Sequence, residues 1–189
     1  TRNSEAEAGE RGRPKADASH PVTFTADELR QNLALRGIPA HGWQLADARY
    51  ETVADDHLEE VWQAWIDSLR ANASELLTTY DLGGGKTRTV PRWKEEAGDC
   101  DDHALICFAH ALVGNWLGAV RGGAAVGRTF GVAFYHAVAR AENRNRAGGH
   151  AVLWFINHQG VFRVFEPADG NTQEWLPAEY MSATFGICA

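Results

Sequence analysis

One apolar run constrains this chain more than any other feature. From Cys100 onward, Ala104, Leu105, Cys107, Phe108, Ala111, Leu112 and Trp116 leave little polar surface around a helical axis. That pattern predicts a central, largely buried helix ending near residue 118. Glycines at 118, 122, 123 and 127 then break it, because glycine gains most from leaving a helix. The rest of the chain has to frame this helix.

Upstream, residues 1 to 20 are polar, charged and almost free of large apolar side chains. They cannot offset the entropy of ordering and read as a tail or linker. A first helix is expected at about 26–36, where Thr25-Ala26-Asp27-Glu28 is a capping box and Gly37 with Pro39 supplies the stop. A second is expected over 52–70, where Leu58, Val61, Trp62, Trp65, Ile66 and Leu69 recur at three- and four-residue spacing. Its two tryptophans read as core rather than as a ligand platform. Asn72-Ala73-Ser74 is a glycosylation sequon with meaning only in a secretory setting. Gly83-Gly84-Gly85-Lys86-Thr87 imitates a phosphate-binding loop, but the pattern needs glycine where Tyr80 stands, so a flexible loop is the expectation.

Downstream the period changes to that of strands: 129–140, a polar turn at 141–149, 150–156, a turn near 157–160, and 161–166. Helices first and antiparallel strands afterwards make an α+β fold. A length of 189 residues suits one domain, expected over 21–189 with a helical part to 120 and a sheet part from 128. No uninterrupted apolar stretch approaches the 18 or more residues of a membrane span, so a soluble domain without a membrane partner is expected. The net charge of −7 argues against a nucleic-acid partner and suits cation binding. Three cysteines, Cys100, Cys107 and Cys188, are too few for a disulfide scaffold, and an odd count leaves at least one thiol free.

The chemistry gathers at Gly98-Asp99-Cys100-Asp101-Asp102-His103-Ala104. Asp99 is placed to cap the helix, with Asp102 in the reciprocal capping-box position, and Cys100 falls in the first turn. Unpaired backbone N–H groups there favour an anion, hence the reactive thiolate. Cys107 and Cys188 read as small buried residues. The matching base is a histidine on a strand. His150 follows Gly148-Gly149 and opens an apolar run; a three-residue hairpin loop at 157–159 would set residue 150 opposite 166, so Glu166 could orient its ring. A one-residue slip would turn Glu166 to the other face. His136 is the strongest rival, His103 and His110 share the cysteine's helix, and His158 belongs to a turn.

Three motifs, Asp99-Cys100-Asp101-Asp102-His103-Ala104-Leu105, Gly149-His150-Ala151-Val152 and Val164-Phe165-Glu166-Pro167, resemble the papain-like, calcium-dependent cysteine protease domain of the Marasmius-type mushroom agglutinins. Single-domain relatives in phages and bacteria share the likeness, which spans about 90–175. The resemblance implies a papain-like fold with Cys100 as nucleophile, His150 as general base and acid, and Glu166 as the orienting residue. Transglutaminase-like hydrolases share this order of Cys, His and acid. No β-trefoil lectin portion precedes the motif here. Nor is there the glutamine that papain-like enzymes often carry before the cysteine; the Cys100 backbone N–H and the Trp93 indole N–H stand as oxyanion candidates.

The acidic neighbours set a physical problem. Asp99, Asp101 and Asp102 oppose a thiolate at Cys100, and a bound calcium would reverse the local field. Asp101 and Asp102, with Asp169 and Asn171 beyond the last strand, are the expected oxygen ligands; the plainer alternative is that these carboxylates cap the helix and face water. The expected activity is a cysteine peptidase acting on a peptide or protein. Acyl transfer to an amine, cell-wall amide cleavage and a non-catalytic calcium- or ligand-binding module are the rivals.

Overall fold

The computed structural model describes residues 20–36, 38, 44–94, 99–123, 126–137, 148–174 and 183–188. The expected tail, most of the turn at 141–149 and residues 138–140 lie outside them. The elements run in the order β1 (Thr23–Thr25), α1 (Ala26–Leu35), β2 (Gln44–Leu45), β3 (Arg49–Glu51), α2 (His57–Asn72), β4 (Leu77–Gly83), β5 (Lys86–Pro91), α3 (Cys100–Val120), β6 (Gly127–Arg128), β7 (Phe130–Ala137), β8 (Gly148–Ile156), β9 (Phe162–Glu166), β10 (Asn171–Glu174) and β11 (Ala183–Cys188). The chain is α+β. Its main sheet has the order β10-β9-β8-β7-β11-β2, antiparallel except where β2 pairs parallel with β11.

The middle strand carries the core. Ala151, Leu153 and Phe155 of β8 pack in one apolar cluster with residues of α2 and α3, while Val152, Trp154 and Ile156 pack in a second with Leu29 and Leu33 of α1. A strand buried on both faces reads as a continuous apolar run rather than an alternating one, which accounts for Ala-Val-Leu-Trp-Phe-Ile. Helices therefore cover both sides of the sheet.

Three expectations change here. Strands are not confined to the second half: β2 adds an edge to the main sheet, β1, β3 and β6 form a small sheet, and β4 with β5 form a hairpin. Most of these strands have only two or three residues, too few for periodicity to register. The glycine run is the tip of that hairpin, with Gly83, Gly84 and Gly85 at φ of 80°, 63° and 77°, a left-handed conformation that glycine adopts without strain. The sequence reading missed β4 because Thr78-Thr79-Tyr80-Asp81-Leu82 is half polar and mostly exposed.

The third change concerns α3. Its first half is buried through His103, Ala104, Cys107, Phe108 and Ala111, but Val113, Trp116 and Val120 are 51%, 68% and 69% exposed. Apolar residues all round signal a buried helix only if partners surround it, and the sheet covers one side. With a mean hydropathy of 1.4 over 18 residues, 28% of that window buried, α3 is long and apolar enough by length and composition to cross a membrane; a count of consecutive apolar residues missed this because polar side chains interrupt the run. The helix stops where Gly122 takes φ of 95° and the Gly123 N–H returns to the Gly118 carbonyl.

The expected Thr25–Glu28 capping box of α1 is present. On α2, Leu58, Trp62, Trp65 and Ile66 are buried as the spacing predicts.

Candidate functional site

Cys100 is the first residue of α3, so its backbone N–H has no acceptor within the helix. The Asp99 backbone is extended, as a cap requires, but its carboxylate makes no capping hydrogen bond, so the expected box with Asp102 does not form. Asp99 bonds the Asp101 side chain instead. This holds Asp99 below the usual carboxylate range, helped by the nearby Asp102 and Asp101 amides, and raises Asp101 for the same reason. Of the two, Asp101 is therefore the carboxyl that takes up a proton more readily, which would lessen the negative charge beside Cys100.

His150 is the third residue of β8 and Glu166 the last of β9. Their side chains meet with Nε2 of His150 2.6 Å from Oε2 of Glu166. The register that brings this about is not the expected one. Ile156 lies across from Phe162 and Leu153 from Phe165, so Glu166 falls two places short of the position opposite His150. The loop is longer because the Asn157 side chain accepts the Gln159 and Val161 N–H groups and its backbone N–H also bonds the Val161 carbonyl. A two-residue shift is even, so both side chains keep the same face and meet diagonally, within reach of long side chains.

The Cys100 side chain hydrogen-bonds the same imidazole. Burial opposes a charge on His150, but the bonds to Cys100 and Glu166 and the negative charge of both raise its pKa to about 9. With Nε2 taken by Glu166, Nδ1 is the nitrogen left for the sulfur. Thiol, imidazole and carboxylate form a continuous relay from the start of a helix to the ends of two strands.

Glu166 is held in turn by its surroundings. Its Oε1 accepts the Ala168 N–H at 3.2 Å, and the Gly170 N–H returns to its backbone carbonyl at 2.7 Å. Trp62 donates from Nε1 to the Pro167 carbonyl at 2.8 Å, and a Cβ on Gly170, whose φ is 69°, would meet the Trp62 ring at 2.8 Å. Trp62, read from spacing only as core, thus sets the turn behind Glu166. Sequence offered no signal for this, since indole N–H partners are set by tertiary contact.

His103 lies one turn beyond Cys100, buried edge-on against Trp65 with ring centroids 5.9 Å apart and Nδ1 lacking a hydrogen-bond partner. Burial lowers its pKa against the nearby charges of Glu166, Asp102 and Asp99, so it is neutral at pH 7. It does sense a carboxylate that its own neighbours do not supply. His110 is exposed, and Nδ1 of His158 lies 2.9 Å from the Thr52 hydroxyl. The His136 backbone pairs with Gly149; its side chain lies outside the described residues, as does that of Cys188. Cys107 is buried, which pushes its thiol up to about 12.

Among the described residues, the ligand atoms of Asp99, Cys100 and Asp101 lie within 4.8 Å of one another. The expected cation set therefore shifts toward Asp99. Asp102 and Asp169 do not belong to the group. Asp169 instead accepts the Asn171 backbone and side-chain N–H groups at 2.9 and 2.7 Å, and Oδ1 of Asn171 accepts Arg88 at 2.8 Å, so these oxygens are already used in tying the β9–β10 turn to the β5 strand. Two carboxylates suit a hard cation; the sulfur does not. Trp93 is 58% exposed and has no hydrogen-bond partner among the described residues, which does not assign it to an oxyanion site.

No family model matches the chain, and no curated protein does. A solved chain titled "PSL1a-E64 complex" has a similar fold, with a TM-score of 0.56 and 21% identity over 87% of this chain and 50% of that one. The present chain thus spans half of its structural neighbour's length.

Proposed function

We propose that this chain is a papain-like cysteine peptidase using Cys100, His150 and Glu166. The observation that carries the reading is the joint hydrogen bonding of His150 to Cys100 and Glu166, with the imidazole held protonated up to about pH 9. A cation between a sulfur and a carboxylate favours the thiolate, which is the nucleophile.

In the first step the Cys100 sulfur attacks the substrate carbonyl carbon, and its oxygen takes up the electron pair. The Cys100 backbone N–H, in the first turn of α3, is the donor for that oxyanion. The His150 imidazolium then gives its proton to the departing amine, the C–N bond breaks, and a thioester remains. Neutral His150 next takes a proton from water, the hydroxide oxygen attacks the thioester, and collapse releases the acid and restores the thiolate. Glu166 stays ionised throughout and keeps the ring aimed.

The motifs resembling the Marasmius-type agglutinin domain, together with the fold shared with the PSL1a–E64 chain, support the papain-like assignment. Calcium activation belongs to the same proposal. Asp99 and Asp101 would hold the ion, with Asp102 alongside, and bound calcium supplies a positive field beside the thiolate. Acyl transfer uses the same three residues and differs only in the acceptor, which product analysis separates.

The test is turnover of a fluorescent casein and covalent labelling by iodoacetamide and by E64, each with calcium and with excess EGTA. The Cys100→Ala variant should lose both turnover and site labelling; a variant that still turns over at the parent rate sinks the peptidase. Equal rates with calcium and EGTA remove the calcium part alone.

A further inference from the structure

The turn behind Glu166 has a second support besides Trp62, and it comes from the β4–β5 hairpin. Arg88 of β5 donates from Nη1 to Oδ1 of Asn171 at 2.8 Å. Asn171 stands directly across the ladder from Glu166, and residues so opposed put their side chains on one face with Cβ atoms about 5 Å apart. From Asn171 the bonds run back to the carboxylate. Its side-chain amide donates to Oδ2 of Asp169 at 2.7 Å and its backbone N–H to Oδ1 at 2.9 Å. The Asp169 and Gly170 N–H groups return to the Glu166 carbonyl at 3.3 and 2.7 Å, and the Ala168 N–H holds Oε1 of Glu166 at 3.2 Å. Oε2 is thereby left for His150.

A half-buried arginine spent on a neutral amide oxygen is unusual. Among the described residues Arg88 forms no ion pair, although ordering so long a side chain costs rotamer freedom. The strand that carries it is fixed. Val90, two residues on and on the same face, is buried in the core cluster shared with α2 and α3, and the buried Leu77 pairs with Pro91 beside it. A hairpin rooted in the core thus reaches a turn that its own pairing does not need.

We infer that Arg88 is a positioning residue of the catalytic centre: by holding Asn171 it fixes the turn that aims the Glu166 carboxylate at His150. Trp62 fixes the start of that turn through the Pro167 carbonyl and Arg88 its end through Asn171, so Glu166 is clamped between α2 and the hairpin. Without Arg88 the end of the turn loses its tie to β5 and the carboxylate drifts from the imidazole. A less firmly held imidazolium supports less thiolate at Cys100. The effect of Arg88 on turnover rests on the peptidase reading, whereas its effect on the thiol does not.

The experiment compares the full-length parent with Arg88→Ala, Arg88→Lys, Asn171→Ala, the double variant Arg88→Ala with Asn171→Ala, and Thr89→Ala. Two quantities are read at neutral pH: kcat and KM on fluorescent casein, and the rate of iodoacetamide alkylation at Cys100 followed by mass spectrometry. Arg88→Ala should lower kcat at least about 10-fold with KM little changed, and should slow alkylation at least about 3-fold. Arg88→Lys keeps a donor for Asn171 and should retain most of both rates. Thr89→Ala removes the 3.0 Å hydroxyl contact with Thr79 on the opposite face of the same hairpin and should leave both rates near the parent's. Because Arg88 acts through Asn171, the double variant should fall no further than Asn171→Ala alone. Parent rates in Arg88→Ala overturn the inference, as does a double variant whose losses multiply. A loss that Thr89→Ala reproduces also overturns it, by placing the effect in the folding of the hairpin. If Cys100→Ala still digests casein, the peptidase reading fails, and the alkylation rate, which needs no substrate, still decides for or against Arg88.

Discussion

At the scale of single residues the site is a problem of charge placement. His150 is buried enough to prefer neutrality, yet Cys100 and Glu166 lift it to about 9. A group whose pKa is raised on folding adds stability below its unfolded value and loses that contribution as pH rises through the folded value. His150 therefore stabilises the fold below about pH 6.5 and ceases to do so by about pH 9. If His150 is the general acid proposed above, activity should show an alkaline limb at the same upper value. Replacing Glu166 by Gln keeps the shape but removes the charge, so that limb should move to lower pH, by about one to three units; a pH profile of kcat/KM with an unmoved limb would deny Glu166 its electrostatic role. The Asp99–Asp101 bond raises Asp101 and lowers Asp99, so the charge beside Cys100 rests mainly on Asp99 and Asp102.

At the scale of elements, the turn joining β9 to β10 matters more than its length suggests. Trp62 of α2 grips it through the Pro167 carbonyl, and Gly170 lets the ring approach. Gly170→Ala forces a side chain into left-handed backbone and against an indole. It should cost about 1–3 kcal/mol, read as a drop in thermal midpoint, and should lower kcat/KM by displacing Glu166. A variant as stable and active as the parent would show the turn to be slack. The spacing of α2 was legible because a buried amphipathic face repeats every three to four residues. The turn was not, because one hydrogen bond from one indole leaves no period.

For the molecule as a whole, stability should peak near neutrality. His57 is half-buried and His103 buried, and both have lowered pKa values, burial being the main cause for both, with Arg128 and His158 adding to it at His57 and Asp56 opposing it. Groups held neutral on folding contribute stability above their unfolded pKa and lose it as pH falls through the folded value. The acid side should thus weaken below about pH 6.5, opposite in sign to His150. Urea midpoints measured from pH 5 to 9 should trace a dome, and His57→Gln should flatten its acid limb. An acid limb unchanged in that variant would place the titration elsewhere. The α+β class, the helices near 26–36 and 52–70, and the three central strands were legible in the chain. The small sheets and the edge strand β2 were not, because pairing between distant segments does not depend on their own periodicity.

The sequence by itself determined that Cys100 begins a helix, that His150 lies in the first residues of a strand and that Glu166 ends one, because caps, glycines and apolar periods act over a few residues. Whether His150 and Glu166 share a face rested on the register, and it survives a loop two residues longer than expected because the shift is even. Only the tertiary structure decided that the three side chains meet, that Asp99 turns to Asp101 rather than to the helix, and that half of α3 stays uncovered. Those outcomes depend on which surfaces the folded chain brings together, and a helix that is apolar on every side carries no mark of which side will find a partner.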